Sequence, residues 1–228
     1  MDFVGINKLS LLDYPNKVSA ILYTAGCNFR CPYCHNGLTL VEGDNKPIPF
    51  AEIVSFLNKR IGILDGVVIS GGEPTLMPDL KEKIKAIREM GFCIKLDTNG
   101  TKPDLLREFI NEKLIDYVAM DIKSSPNGYS LAAGRPVDMT SIKESIELLI
   151  NSSVDYEFRT TIVDELHNDI DMISMGKMIK GAKKLCLQKF QVSEGVLNKN
   201  LHSVSEDRIN TFKEILSKYV DEVVIRGY

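Results

Sequence analysis

Three cysteines fall within eight residues, in the segment Gly26-Cys27-Asn28-Phe29-Arg30-Cys31-Pro32-Tyr33-Cys34-His35-Asn36. Thiolates on a short polar loop are soft donors, suited to a metal or redox centre. Several centres meet this pattern. Each thiolate can take one iron of a four-iron cluster, leaving the fourth iron without a protein ligand and open to chemistry, because such clusters normally have four cysteines. Cys27, Cys31, Cys34 and His35 can also be read as a four-ligand zinc site, although the usual second ligand pair is missing. Cys31-Pro32-Tyr33-Cys34 alone would make a dithiol redox motif, but that leaves Cys27 unexplained. Cys31 to His35 matches the C-x-x-C-H pattern of haem attachment, which goes with export. The plainest alternative is that these cysteines are simply packed. Cys93 and Cys186 stand alone and bring the total to five, an odd number that argues against a disulfide framework.

Other chemistry-bearing residues come in short groups: Ser70-Gly71-Gly72-Glu73-Pro74, Asp97-Thr98-Asn99-Gly100, Met120-Asp121-Ile122-Lys123 and Tyr156-Glu157-Phe158-Arg159-Thr160-Thr161. Adjacent glycines let a backbone approach a ligand closely. A carboxylate such as Glu73 accepts from an ammonium group, while Lys123 and Arg159 offer donors to a carboxylate. Taken singly, each group has an ordinary reading: a βα turn, a tight turn, a surface ion pair, a core salt bridge. Gln188 is a weaker candidate. His167 and His202 read as solvated loop residues, Cys93 and Cys186 as buried inert thiols, and the methionines between Met172 and Met178 as core.

What must position these groups is legible in the alternation of apolar runs with amphipathic patterns. The sequence predicts strands at Val18–Ala25, Gly66–Ser70, Phe92–Asp97, Tyr117–Ile122, Tyr156–Ile162 and Leu185–Val192, with a further one at Glu222–Arg226. It predicts helices at Phe50–Arg60, Pro78–Met90, Pro103–Glu112, Ser141–Asn151, Ile170–Ile179 and Ser205–Lys218. Pro78 and Pro103 suit first helical turns, and Gly91 suits a left-handed cap. Strands apolar on both faces, alternating with helices, indicate a parallel α/β sheet. A complete eight-unit barrel takes about 250 residues, so 228 residues favour an open partial (β/α)6 barrel forming a single domain over 1–228. The cysteine loop and three of the other groups follow successive strands, at the carboxyl ends where parallel folds build their sites.

Composition is that of an ordinary globular chain, 44% hydrophobic and 26% charged. The net charge of −3 argues against nucleic-acid binding by phosphate neutralisation. No leader pattern opens the chain, and no apolar run nears the roughly 20 residues of a spanning helix. The expectation is a cytoplasmic protein with no membrane partner.

C-x-x-x-C-x-x-C with Tyr33 before the last cysteine resembles the signature of the radical SAM superfamily, and Gly71-Gly72-Glu73-Pro74 resembles its G-G-E-P element. Asp97-Thr98-Asn99-Gly100 with Asp121-Ile122-Lys123 is similar to the glycyl-radical-enzyme activating enzymes, above all the activating proteins of anaerobic ribonucleoside-triphosphate reductase. The likeness runs from Leu11-Leu12-Asp13-Tyr14-Pro15 through Val223–Gly227. It implies a [4Fe-4S] cluster on Cys27, Cys31 and Cys34, with S-adenosylmethionine (SAM) chelating the open iron. It implies SAM contacts from Tyr33, His35, Gly71, Gly72, Glu73, Asp97, Thr98, Asn99, Asp121, Lys123 and Arg159, with the backbone near Val163 against the adenine. A monovalent cation is expected near Asp97 and Asp121, which would otherwise repel. The implied reaction is SAM cleavage to a 5′-deoxyadenosyl radical that takes hydrogen from a backbone glycine of a partner glycyl radical enzyme. A flavodoxin- or ferredoxin-type protein would supply the electron. A radical SAM enzyme acting on a small molecule, in modified-base or cofactor synthesis, and a zinc or dithiol protein remain as alternatives.

Overall fold

A computed structural model describes residues 2–41 and 43–227. Its strands are β1 (Phe3–Ser10), β2 (Ser19–Thr24), β3 (Gly66–Gly71), β4 (Cys93–Thr98), β5 (Tyr117–Asp121), β6 (Asp155–Ile162), β7 (Lys184–Lys189) and β8 (Glu222–Arg226). They form one sheet in sequence order, with β1 and β8 at its edges. β2 to β8 pair in parallel, and β1 is antiparallel to β2. Helices cross between the parallel strands: α1 (Phe50–Asn58), α2 (Leu80–Glu89), α3 (Pro103–Asn111), α4 (Tyr129–Ala133) with α5 (Met139–Asn151), α6 (Asp169–Met178) and α7 (Glu206–Leu216). The result is the expected α/β fold with an open, mostly parallel sheet of six strand–helix units from β2 to α7.

Local chemistry accounts for most helix starts. Pro103 occupies the first turn of α3, where its missing N–H costs nothing. Asn168 and Asp171 form a reciprocal capping box on α6, and Ser205 and Asp138 cap α7 and α5. Pro78 behaves otherwise than expected: α2 begins at Leu80 with Asp79 as its N-cap, so Pro78 stands outside the helix. The edge strand β1 and the five-residue helix α4 lie outside the predicted set.

The two faces of the sheet differ. Leu22, Ile69, Leu96, Val118 and Met120 join helix residues such as Ile53, Ile84 and Phe109 in the main core. The opposite face starts apolar near the amino ends of the strands, where Ile21 and Val68 pack with Tyr14. Toward the carboxyl ends this inner face turns polar at Ser70, Asp97, Asp121 and Arg159. No helix among the described residues is long and apolar enough to cross a membrane.

Candidate active site

The inner polar positions open onto a cavity of about 260 Å³, lined by all three clustered cysteines and by residues from the ends of β3 to β7. The cysteine loop, after β2, is laced to the β3 loop through its backbone. Gly72 N–H donates to Thr24 O and Glu73 N–H to Gly26 O, both at 2.8 Å. A Cβ at Gly72 would stand 1.8 Å from Gly26 O, so only glycine allows this approach. Gly72→Ala is expected to cost about 1–3 kcal/mol of stability, readable by thermal melting. On its other flank the loop leans on α4: Arg30 N–H donates to Ala133 O at 2.8 Å, and a Cβ at Gly134 would meet Arg30 O at 2.0 Å. The segment after β7 closes a third side, with Asn198 N–H on Pro32 O at 2.8 Å and Phe190 edge-on to the exposed His35 ring.

Cys31 is buried, while Cys27 and Cys34 are half-buried. Burial pushes the Cys27 thiol up to about 11 against the opposing Phe29 N–H, and raises Cys31 and Cys34 as well. The loop therefore presents neutral thiols that lose protons when they ligate a metal. A single zinc ion needs its ligands converging on one point, and no three His, Cys, Asp or Glu side chains do so among the described residues. A cubane makes a different demand, since each thiolate goes to its own iron. Three thiols facing one cavity, with no fourth beside them, fit a cluster with one open iron.

Glu73 is 1% exposed and heavily engaged. Its Oε1 accepts from Thr75 N–H at 3.1 Å, Thr75 Oγ1 at 2.6 Å and Thr98 Oγ1 at 2.8 Å, and its Oε2 from Asn99 N–H at 2.7 Å. One acceptor position on Oε2 remains for a ligand's ammonium group. Glu73 thus also ties the β3 loop to the turn after β4.

Asp97 and Asp121 do approach one another, but the charge between them belongs to the protein. Arg159 donates from Nη1 to Asp97 at 3.1 Å and from Nε to Asp121 at 3.0 Å. Lys95 pairs with Asp97 at 2.8 Å and Lys123 with Asp121 at 3.0 Å. Burial alone would raise the Asp97 carboxyl; Arg159, Lys95 and the Ser70 hydroxyl outweigh it and bring it down to about 2. Asp121 is lowered too, with Arg159 and Lys123 overcoming burial. Arg159 therefore supplies a counter-charge to both carboxylates. Burial opposes the charge on Lys123, but Asp121 overrides it and holds the ammonium protonated. Two of its three donors remain for a carboxylate. Glu157, two residues before Arg159 on β6, takes Arg226 of β8 in a two-pronged pair at 3.1 and 2.7 Å.

Tyr33, His35, Gly71, Gly72, Glu73, Asp97, Thr98, Asn99, Asp121, Lys123 and Arg159 all line the cavity, as does Gln188; Val163 does not. Val163 is buried, and its N–H goes to His167 Nδ1 at 3.1 Å. This corrects the reading of His167 as a solvated residue: it is 3% exposed, and its Nε2 lies 3.0 Å from Lys123 O. An Nε2–H donating to Lys123 O leaves Nδ1 to accept from Val163, so one neutral ring spans the β5 and β6 ends. Burial lowers its pKa and keeps it neutral. His167→Ala strands both backbone groups, and a loss of about 1–3 kcal/mol per group is expected, measured by urea unfolding. Of the two isolated cysteines, Cys186 is buried and Cys93 half-buried. Met172 and Met175 are core, as expected.

The sequence profile of the Radical SAM superfamily matches residues 21–174. The chain belongs to the radical SAM superfamily. Among its relatives, a Methanocaldococcus jannaschii protein named as a glycyl-radical enzyme activating enzyme is 36% identical over 229 residues, covering 97% of this chain and 94% of that protein. A pyruvate formate-lyase-activating enzyme of Staphylococcus aureus is 29% identical over 202 residues, covering 82% of this chain and 78% of that enzyme. The structure of anSMEcpe with AdoMet bound shares the fold at a TM-score of 0.64 and 19% identity, covering 86% of this chain and 58% of that one. The carboxyl-end cavity is thus the cavity of a radical SAM enzyme.

Proposed function

We propose that this radical SAM enzyme is a glycyl-radical-enzyme activase, removing hydrogen from one backbone glycine of a partner protein. Anaerobic ribonucleoside-triphosphate reductase is the partner that the sequence resemblance favours. The observation that carries the reading is the single cavity shared by three thiols and a buried array of carboxylates and cations. The names of the two relatives support the choice of substrate class. In this reading Cys27, Cys31 and Cys34 hold a [4Fe-4S] cluster, and one radical SAM domain spans the sheet from β1 to β8. When bound, cluster and SAM together supply a carbon radical able to take hydrogen from an unactivated C–H bond.

The chain's own groups bind and orient. Oε2 of Glu73 accepts from the SAM ammonium group, and Lys123 donates to its carboxylate. Arg159 keeps Asp97 and Asp121 fixed, beside the place where the resemblance puts a monovalent cation. Tyr33, buried at the cavity wall, offers an apolar face to the adenine. A flavodoxin- or ferredoxin-type protein delivers the electron. The test is anaerobic reconstitution, followed by incubation with SAM, a low-potential reductant and candidate glycyl radical enzymes, including the reductase. A glycyl doublet in the electron paramagnetic resonance spectrum of a partner is the expected result. SAM cleavage with no doublet on any native partner would replace the activase with an enzyme acting on a small molecule. Iron binding without SAM cleavage would remove the radical reading altogether.

A further inference from the structure

The residue least consistent with its expected role is Asn99. As a SAM contact it should turn a free amide toward the cavity, yet every hydrogen-bonding position on its side chain is engaged elsewhere. Oδ1 accepts from the N–H of Thr101 at 3.1 Å and from its hydroxyl at 2.7 Å. The backbone donor fixes which way round the amide sits, so Nδ2 must face the cysteine loop. There it gives one hydrogen to Asn28 Oδ1 at 2.7 Å and directs the other at Cys27 Sγ, 3.9 Å away. Asn28 closes the ring by donating from Nδ2 to the Thr101 hydroxyl at 2.8 Å. An amide has two donors and two acceptor positions, and none is left over. Asn99 is 4% exposed, and its own N–H is held by Glu73 Oε2, so the donor is fixed in place beside the sulfur.

We propose that Asn99 serves the cluster and not the SAM: with Asn28 and Thr101 it holds the Cys27 thiolate in position and donates to its sulfur, setting the cluster's reduction potential. The inference rests on the cluster reading above. Hydrogen bonds to the sulfurs are among the features that set iron–sulfur potentials. A donor stabilises negative charge on the thiolate, and the reduced cluster carries one more negative charge than the oxidised one. Asn99 therefore raises the potential, alongside the Phe29 N–H that reaches the same sulfur at 3.3 Å. Asn99 acts through Cys27 and is a positioning residue.

The test uses the full chain, reconstituted anaerobically without SAM, as wild type, Asn99→Leu and Thr101→Val. Leucine fills the amide's volume and keeps water from replacing the donor. Valine at 101 keeps the shape of threonine but removes the hydroxyl that orients both asparagines, without substituting any residue of the cysteine loop. A redox titration followed by electron paramagnetic resonance should show a midpoint shifted downward in Asn99→Leu and by less in Thr101→Val. SAM affinity, measured by equilibrium dialysis, should be unchanged. If Asn99→Leu assembles no cluster, Thr101→Val alone decides, by the same downward shift or its absence. An unchanged potential overturns the inference, as does a loss of SAM affinity at an unchanged potential. A wild-type chain that takes up no four-iron cluster would overturn the cluster reading and this inference with it.

Discussion

Cys31→Ser is expected to abolish cluster assembly and, with it, reductive cleavage of SAM. Cys31 is the most enclosed of the three, 6% exposed in the main core, and the loop offers no fourth thiol. Its loss leaves two protein ligands for four irons. Altering a partner that merely orients a metal ligand already costs about 10–100-fold in metal affinity or activity, and loss of the ligand itself should exceed that. Serine preserves the side-chain shape, and the loop remains anchored by the Cys34 N–H to Cys31 O bond and the Arg30 N–H to Ala133 O bond. Circular dichroism and melting should therefore stay close to wild type, while iron and sulfide content and 5′-deoxyadenosine release collapse together. Cys186→Ser, altering a thiol buried on β7, provides the comparison and should assemble its cluster. A Cys31→Ser protein that keeps its iron and still cleaves SAM would refute the ligand assignment.

What the sequence disclosed, and what it hid, follows from the range over which each signal acts. The cysteine spacing is local, and so is the rule that sites gather after parallel strands; both are legible in the residues alone. The bridging by Arg159 was not, because it depends on register. Arg159 is paired with Asp121 across β5 and β6, whereas Asp97 is paired with Ala119, one pleat further back. Only that offset sets both carboxylates within reach of one guanidinium on the inner face. His167 left no trace because its partners are main-chain groups, which every residue possesses. Strand β1 carries Gly5, Asn7 and Lys8 among its apolar residues and packs only at one edge, so its pattern is not that of a doubly buried strand. Helix α4 is too short for a 3.6-residue period to emerge, yet its last carbonyl supports the cysteine loop.

Arg159→Met should cost substantial stability, and that loss should depend on pH. Methionine fills much of the volume but leaves two ionised carboxylates facing one another with only Lys95 and Lys123 to balance them. Removing one member of a buried charged group costs about 3–5 kcal/mol; the remaining lysines place the expectation near the lower figure, about 3 kcal/mol at pH 7. In a chain of this size that corresponds to a melting temperature lower by about 6–12 °C. The sign of the pH dependence follows from Asp97. Its folded pKa of about 2 lies below the ordinary carboxyl value of 3.8, so it stabilises the wild type above pH 4 by about 2 kcal/mol, and that contribution fades as the pH falls toward 2. Without Arg159 the carboxyl rises toward or above its unfolded value, and one of the two acids takes up a proton as the medium is acidified. Urea unfolding of wild type and variant should therefore differ most at pH 7 and progressively less from pH 4 down to about 2, and an equal difference at pH 7 and pH 2 would refute the bridging role. Arg159→Lys separates charge from geometry: an ammonium restores the charge but lacks the fork that reaches both carboxylates, so it should recover part of the stability and leave the variant short of wild type.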